Sequence, residues 1–233
     1  MNNLTAALDT SLGFSLCLGD ENGNTILQER LPAVGRESDR LLVPWLQDCL
    51  NKANATFSQV SKWSLGIGPG SFAGLRCGIA AVKGVALSSG AVLRGVPSAY
   101  ALACALPEGT AGEILGSLHD GRCGEVLLAR FQRQADGALK LLAAPEALPP
   151  EALLSPENAC ARYATVQPEI LAICPAAEVK EKTLILEGVP ACCLLSAPEE
   201  FYPWPKDAAE QEKSTEPLYV RQAVFVKPAV LRN

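Results

Sequence analysis

Residues 63–90 constrain this chain more than any other stretch, because they read as strand, glycine turn and helix in direct succession. Trp63 to Ile67 is a short apolar run of strand type, closed by the turn signal Gly68-Pro69-Gly70. Ser71 then stands at an N-cap position, where its hydroxyl can accept from the free amides of a first helical turn. The helix that follows, about Phe72 to Leu87, is apolar almost all round, with Arg76 and Lys83 its only charges. A helix with so little polar surface must bury most of its girth, in a core or under another chain.

The turn admits two readings. Gly68 and Gly70 open backbone conformations closed to other residues and allow close approach of a partner. The helix N-terminus behind them offers unsatisfied N–H groups and partial positive charge, suited to an anion. The spacing Gly68-x-Gly70-x-x-Ala73 matches a loose dinucleotide fingerprint, yet no acid follows at the ribose distance and no Gly-Lys-Ser/Thr is present. A phosphate cradle and a turn built for tight strand-to-helix packing both remain open on these residues.

With 233 residues, 48% of them hydrophobic, the chain can bury a sizeable core in one large or two small domains. Charges or turn residues interrupt every apolar run before the ~18 residues a membrane span needs, so no span is expected. The opening Met1 to Asp9 lacks a basic region and is not expected to be a signal peptide. Nine cysteines, an odd number scattered through apolar segments without a C-x-x-C pair, read as buried free thiols of a cytoplasmic protein. The net charge of −5, without a long Lys/Arg cluster, argues against strong direct binding to nucleic acid. A single histidine, His119, excludes multi-histidine metal centres; beside Asp120 in a strand-like run, it reads as a satisfied structural residue.

In chain order, Leu4 to Thr10, Phe14 to Gly19 and Thr25 to Leu31 read as strands, with an Asn22-Gly23 hairpin signal between the last two. A helix is expected from about Ser38 to Ala53, starting a few residues later if Pro44 is to lie in its first turn. Strand 63–67, the glycine-turn helix and a strand from Ala91 to Val96 complete an order β-β-β-α-β-α. Ile114 to His119, Glu125 to Phe131 and Leu139 to Leu142 begin a second such series, with Ser155-Pro156-Glu157-Asn158 as a helix start. Two copies describe an α/β fold of the actin-like, sugar-kinase-like kind, the second copy degenerate. This divides the chain into 1–103 and 104–233, with a tail from about 217 packing back on the first part. Pro203 and Pro205 exclude a continuous helix over 196–217, leaving a loop with a short helix near Asp207 to Lys213.

Five pieces then fall in a familiar order: Leu8-Asp9-Thr10-Ser11; Gly68-Pro69-Gly70-Ser71-Phe72-Ala73-Gly74-Leu75-Arg76; Gly95-Val96-Pro97-Ser98; Asp120-Gly121-Arg122-Cys123-Gly124-Glu125-Val126; and Pro217-Leu218-Tyr219-Val220-Arg221. Spanning nearly the whole chain, they resemble the bacterial TsaB (YeaZ) family, partner proteins in tRNA threonylcarbamoyladenosine biosynthesis. The chain departs from that family's pattern at Ala73, where Thr is usual, and at Ser38, where His is frequent. Its 196–216 region also reads as lacking a regular helix that many relatives carry.

The resemblance implies an actin-like fold without catalysis of its own and without a cofactor held by this chain alone. ATP and a metal are expected on partner subunits, a TsaD-like catalytic subunit and a TsaE-like ATPase, and tRNA is met only through the complex. A homodimer is also expected, and no membrane. It assigns the partner interface to Ser71, Phe72, Leu75, Arg76, Ile79, Ala80 and Lys83. For Asp9 and Ser11, together with Gly68, Gly70 and Asp120, a remnant nucleotide contact stands against a structural role. Asp120, Arg122 and Glu125 read as a charge cluster at a cleft or as a hairpin set, and Tyr219 and Arg221 as tail anchors. The competing expectation is an enzyme of the same fold, an ATP-dependent kinase or acyl-transfer protein using Asp9, Asp120 and the glycine turn. A peptidase lacks the metal ligands or nucleophile–base pair it would need.

Overall fold

Two five-stranded sheets carry the chain, and their strand orders are the same. The computed structural model describes residues 3–31, 38–174 and 176–220. The first sheet runs β3-β2-β1-β4-β5, from β1 (Leu4–Asp9), β2 (Phe14–Gly19), β3 (Thr25–Leu31), β4 (Val60–Gly66) and β5 (Val92–Val96). The second runs β10-β9-β6-β7-β8, from β6 (Ile114–Arg122), β7 (Glu125–Arg133), β8 (Leu139–Leu148), β9 (Arg162–Thr165) and β10 (Thr183–Ile185). In each, the first three strands form an antiparallel meander, and the fourth and fifth join the first in parallel. Parallel neighbours need a crossover, and helix α2 (Phe72–Ser89) supplies it between β4 and β5.

Both faces of the first sheet are covered, which its strand sequences anticipate. β2 is buried at all six positions, so it lacks the alternation of a half-wet strand. Leu4, Ala6 and Leu8 of β1 point to one core with Leu42, Leu46 and Leu50 of α1 (Ser38–Lys52) and Ile79, Val82 and Ala86 of α2. Ala7 and Cys17 point the other way, into a second core with α3 (Ser98–Cys104) and α6 (Ala191–Leu195). Leu115, Ala129 and Phe131 of the second sheet meet that same core, so α3 and α6 lie between the sheets. Short helices α4 (Ile170–Ile173) and α5 (Ala177–Glu181) close the far side of the second sheet.

Two local expectations are corrected. Helix α1 runs straight through Pro44; the ring removes the bond to the Arg40 carbonyl, but both residues are exposed, so water can serve it. Ser155-Pro156-Glu157-Asn158 starts no helix. The Ser155 hydroxyl and the Asn158 amide both turn back to donate to the Ala152 carbonyl, closing a turn after the 3-10 segment Pro150–Leu154. The short helix expected near Asp207 to Lys213 is α7 (Ala208–Ser214), whose N-cap Asp207 accepts from the Glu210 amide. The segments Arg36-Glu37 and 221–233, including Arg221, lie outside the described residues, as do the side chains of Ser38 and Asp39.

Among the described residues, α2 alone has the length and composition of a membrane span. It lies instead on the sheet, between two strands that pair with each other, with Leu75, Gly78, Ile79, Val82 and Ala86 buried. Its ends are closed by local chemistry: Ser71 Oγ accepts from the Gly74 amide at 3.2 Å, and Gly90, at φ 73°, donates to the Ala86 carbonyl at 2.8 Å.

Candidate functional site

The motif residues around Asp9 converge on a knot between the end of β1 and the start of α2. Asp9 is 1% exposed. One carboxylate oxygen accepts from the amide and hydroxyl of Ser11, and the other accepts from the Ser98 hydroxyl. Burial pushes its carboxyl above the usual carboxylate range, and the bonds from Ser11 and Ser98 work against that shift. Ser98 also holds the glycine turn, its Oγ accepting from the Gly68 amide at 3.1 Å and its own amide donating to the Gly68 carbonyl at 2.8 Å. The Ser71 amide donates to the Ser11 carbonyl at 2.7 Å.

The glycines have one common reason. A Cβ at Gly70 would overlap Ser11, at Gly74 the Thr10 carbonyl oxygen, and at Gly78 the Thr10 side chain. Gly74 and Gly78, four apart on one face of α2, and Gly70 in the turn before it leave the groove in which residues 10 and 11 lie. The actin-like architecture implies a phosphate at the β1–β2 loop. Here Ser11 fills the space beside Gly70, and the amides of Gly68, Ser71 and Gly74 already have acceptors. These contacts favour the packing reading of the turn over the nucleotide one. Asp120 is not part of the knot. It is exposed at the tip of the β6–β7 hairpin, where it accepts from the Arg122 amide at 2.8 Å. Arg122 and Cys123 adopt positive φ in that turn and Gly124 follows at φ 82°, which gives the motif a hairpin-shaping role.

The knot seats α2 so that one stripe faces outward: Ala73, Arg76, Ala80, Gly84 and Leu87, with Ser71 and Phe72 at its start. Leu87 is 90% exposed and Phe72 45%. Leu75 and Ile79, expected on the partner face, are corrected to the core, because they fall on the opposite side of a 3.6-residue period together with Val82 and Ala86. Lys83 sits at the margin, paired with Glu212 of α7 at 2.7 Å.

Arg76 is held ready within this stripe. Its guanidinium lies 3.9 Å from the Phe72 ring centroid and 5.7 Å from that of Tyr219, and its Nε donates to the Tyr219 hydroxyl at 2.9 Å. Stacking fixes a planar cation that stays accessible to a carboxylate. Tyr219 reaches it because the chain before it is fastened to the first sheet: the Leu218 amide donates to the Ile67 carbonyl, and the Leu93 amide to Gln211 Oε1.

Two residues that matter to this frame were missed or misread. Arg94, 2% exposed on β5, donates to Ser64 Oγ and to the carbonyls of Tyr202, Leu194 and Leu195, under the Trp204 ring at 4.3 Å. It fastens the end of α6 and the proline-rich loop to the first sheet. Desolvation lowers its pKa to about 10, which leaves it charged at neutral pH. An isolated Arg in a strand carries no sequence signal for this. His119 is buried, but among the described residues neither ring nitrogen has a hydrogen-bond partner, and neither has Ser117 Oγ two residues earlier.

Burial lowers the His119 pKa to about 4, against 6.5 for the free side chain. The unfolded chain therefore binds the extra proton first as pH falls. The contribution is fully present above pH 6.5 and disappears by pH 4, a loss of about 3 kcal/mol at ~1.4 kcal/mol per unit. Urea unfolding at pH 7, 5.5 and 4 measures it, and His119→Leu is expected to remove most of that slope.

The twin sheet topology makes this an α/β protein of actin-like architecture. Residues 32–189 match the family model described as TsaD: tRNA N6-adenosine threonylcarbamoyltransferase. The chain belongs to that family and, within it, to the TsaB (YeaZ) proteins. The Escherichia coli (strain K12) tRNA threonylcarbamoyladenosine biosynthesis protein TsaB is 33% identical over 103 residues, a match spanning 44% of this chain and 44% of that relative, under half its length. YeaZ from Pseudomonas aeruginosa superimposes with a TM-score of 0.70 at 27% identity, covering 93% of this chain and 99% of that one. A second P. aeruginosa structure, of an uncharacterised protein described as similar to peptidase YeaZ, gives a TM-score of 0.73 at 27% identity, covering 94% of this chain and 100% of the other.

Proposed function

We propose that this chain is a non-catalytic partner subunit in threonylcarbamoyl modification of adenosine in tRNA. It acts by presenting the outer stripe of α2 to a TsaD-like catalytic subunit, the same stripe serving self-association when that subunit is absent. The observation that carries the reading is that stripe: exposed, apolar, built from small residues that admit close approach, and flanked by a preset Arg76. The family match and the role for which the E. coli relative is named support the pathway. The net charge of −5 supports tRNA contact through partners, which also hold the ATP and metal. The kinase-like alternative loses support because the Asp9 carboxylate is buried and occupied by Ser11 and Ser98.

A reconstituted tRNA modification reaction containing the TsaD-like subunit, read by nucleoside mass spectrometry, tests this. Omitting the chain is expected to abolish product and Arg76→Glu to reduce it at least tenfold, while folded Asp9→Asn stays within about twofold; hot-spot losses of ~2 kcal/mol or more set that scale. Full product without the chain, or loss in folded Asp9→Asn with Arg76→Glu unaffected, would favour the enzyme reading instead.

A further inference from the structure

Helix α2 carries two cations, Arg76 and Lys83, and no acid. Lys83 is paired with Glu212 of α7, whereas Arg76 makes no ion pair with any described residue. The Arg76 Nε donates to the Tyr219 hydroxyl at 2.9 Å, which leaves the Nη donors of the guanidinium open. That hydroxyl keeps its own proton after accepting the bond, and among the described residues no acceptor takes it. A charged donor and a neutral one therefore stand side by side at the N-terminal end of the outer stripe, both exposed to solvent. We propose that Arg76 and Tyr219 together receive the carboxylate of a partner's Asp or Glu, so that the α2 face selects an acidic partner helix over a second copy of this chain. The inference rests on the proposed docking of a TsaD-like subunit at this face and names what that subunit brings to it.

The donors are in place before any partner arrives. The Phe72 ring lies under the guanidinium and 5.0 Å from the Tyr219 ring, so each side of the cluster supports the next. Tyr219 itself ends a strap tied to the first sheet. Thr215 is fully buried, the Ser214 carbonyl presses on β5 where Gly95 leaves no room for a Cβ, and the Leu218 amide donates to the Ile67 carbonyl at 2.8 Å. Fixed donors lose little freedom on binding, and a planar guanidinium matches a carboxylate in two parallel bonds. The neighbours choose the source of the anion. Ala73, Ala80, Gly84 and Leu87 continue the face without a further cation, which suits a helix bearing one carboxylate and not a chain of phosphates.

Self-association through the same stripe lacks the counter-charge. In a two-fold dimer the patch meets itself, and the facing α2 offers two cations and no carboxylate. The donors of Arg76 and Tyr219 then gain no partner from that helix, and like charges are brought together. An acid on a different helix reverses both terms.

The test compares two affinities of the full chain. Cys123, exposed at the tip of the β6–β7 hairpin contrary to the expectation of buried thiols, takes a fluorophore. Anisotropy during titration with the TsaD-like subunit gives one Kd, and sedimentation of the chain alone gives the other. Arg76→Gln is expected to weaken the mixed complex by about tenfold or more, and Tyr219→Phe, which keeps the ring on Phe72, by roughly three- to tenfold. Both losses shrink as salt rises, and the double variant loses less than the product of the two. Self-association, strong or absent, is no weaker in either variant than in the wild type. If both variants bind within about twofold of wild type while Ala80→Glu still abolishes the mixed complex, the carboxylate receptor is overturned and the docking face stands. An equal loss in both assemblies also overturns it. A mixed complex untouched by Ala80→Glu removes the docking face, and the receptor with it.

Discussion

Arg94→Leu is expected to lose about 3–5 kcal/mol of folding stability, because it removes a charged donor shared by several buried and part-buried acceptors. The guanidinium reaches Ser64 Oγ and the Tyr202 carbonyl at 2.8 Å each, and the Leu195 carbonyl at 3.1 Å. Leucine fills part of the volume but donates nothing, so the end of α6 and the loop through Tyr202 and Trp204 lose their tie to the sheet. The shape of the group matters as much as its charge. Arg94→Lys keeps the cation but loses the fork that serves three directions at once, and most of the loss is expected to remain. Against a total stability of roughly 5–15 kcal/mol, Arg94→Leu leaves a small domain marginal. Urea unfolding measures it; a loss under ~1 kcal/mol would mean that water or a neighbour replaces the fork.

How much of this was legible in the sequence follows from how local each cause is. The strand, glycine turn and helix of residues 63–90 were readable because turn chemistry, cap and apolar pattern all lie within one segment. The second sheet was only partly readable: β8 runs to Leu148, well past the apolar run that marks it, because its edge position leaves most of its later residues exposed. The outward face of α2 was only partly readable. An almost uniformly apolar helix hides its own orientation, and only the sheet beneath shows that Leu75 and Ile79 face inward while Ala80 and Gly84 face out. The purpose of Gly70, Gly74 and Gly78 was illegible because the residues they accommodate, Thr10 and Ser11, lie far away in the chain. The Arg94 contacts were hidden for the same reason, since they join segments about a hundred residues apart.

The outer stripe of α2 is where the account commits itself. Ala80 lies at its middle, exposed, one turn after Arg76 and one before Gly84. A glutamate there remains solvated in the free chain, so folding stability should change by no more than about 0.5 kcal/mol. In a complex the same carboxylate is buried against an apolar partner and competes for the Arg76 guanidinium. Breaking charge complementarity in this way costs several kcal/mol, equivalent to weakening association by roughly a hundredfold or more.

The most direct measurement is size-exclusion chromatography with light scattering on this chain mixed with a TsaD-like subunit, wild type against Ala80→Glu, both checked by circular dichroism. The account predicts a one-to-one complex for the wild type and separate, folded components for Ala80→Glu. A complex that forms equally well with the glutamate in place would contradict it, and would move the docking surface off α2.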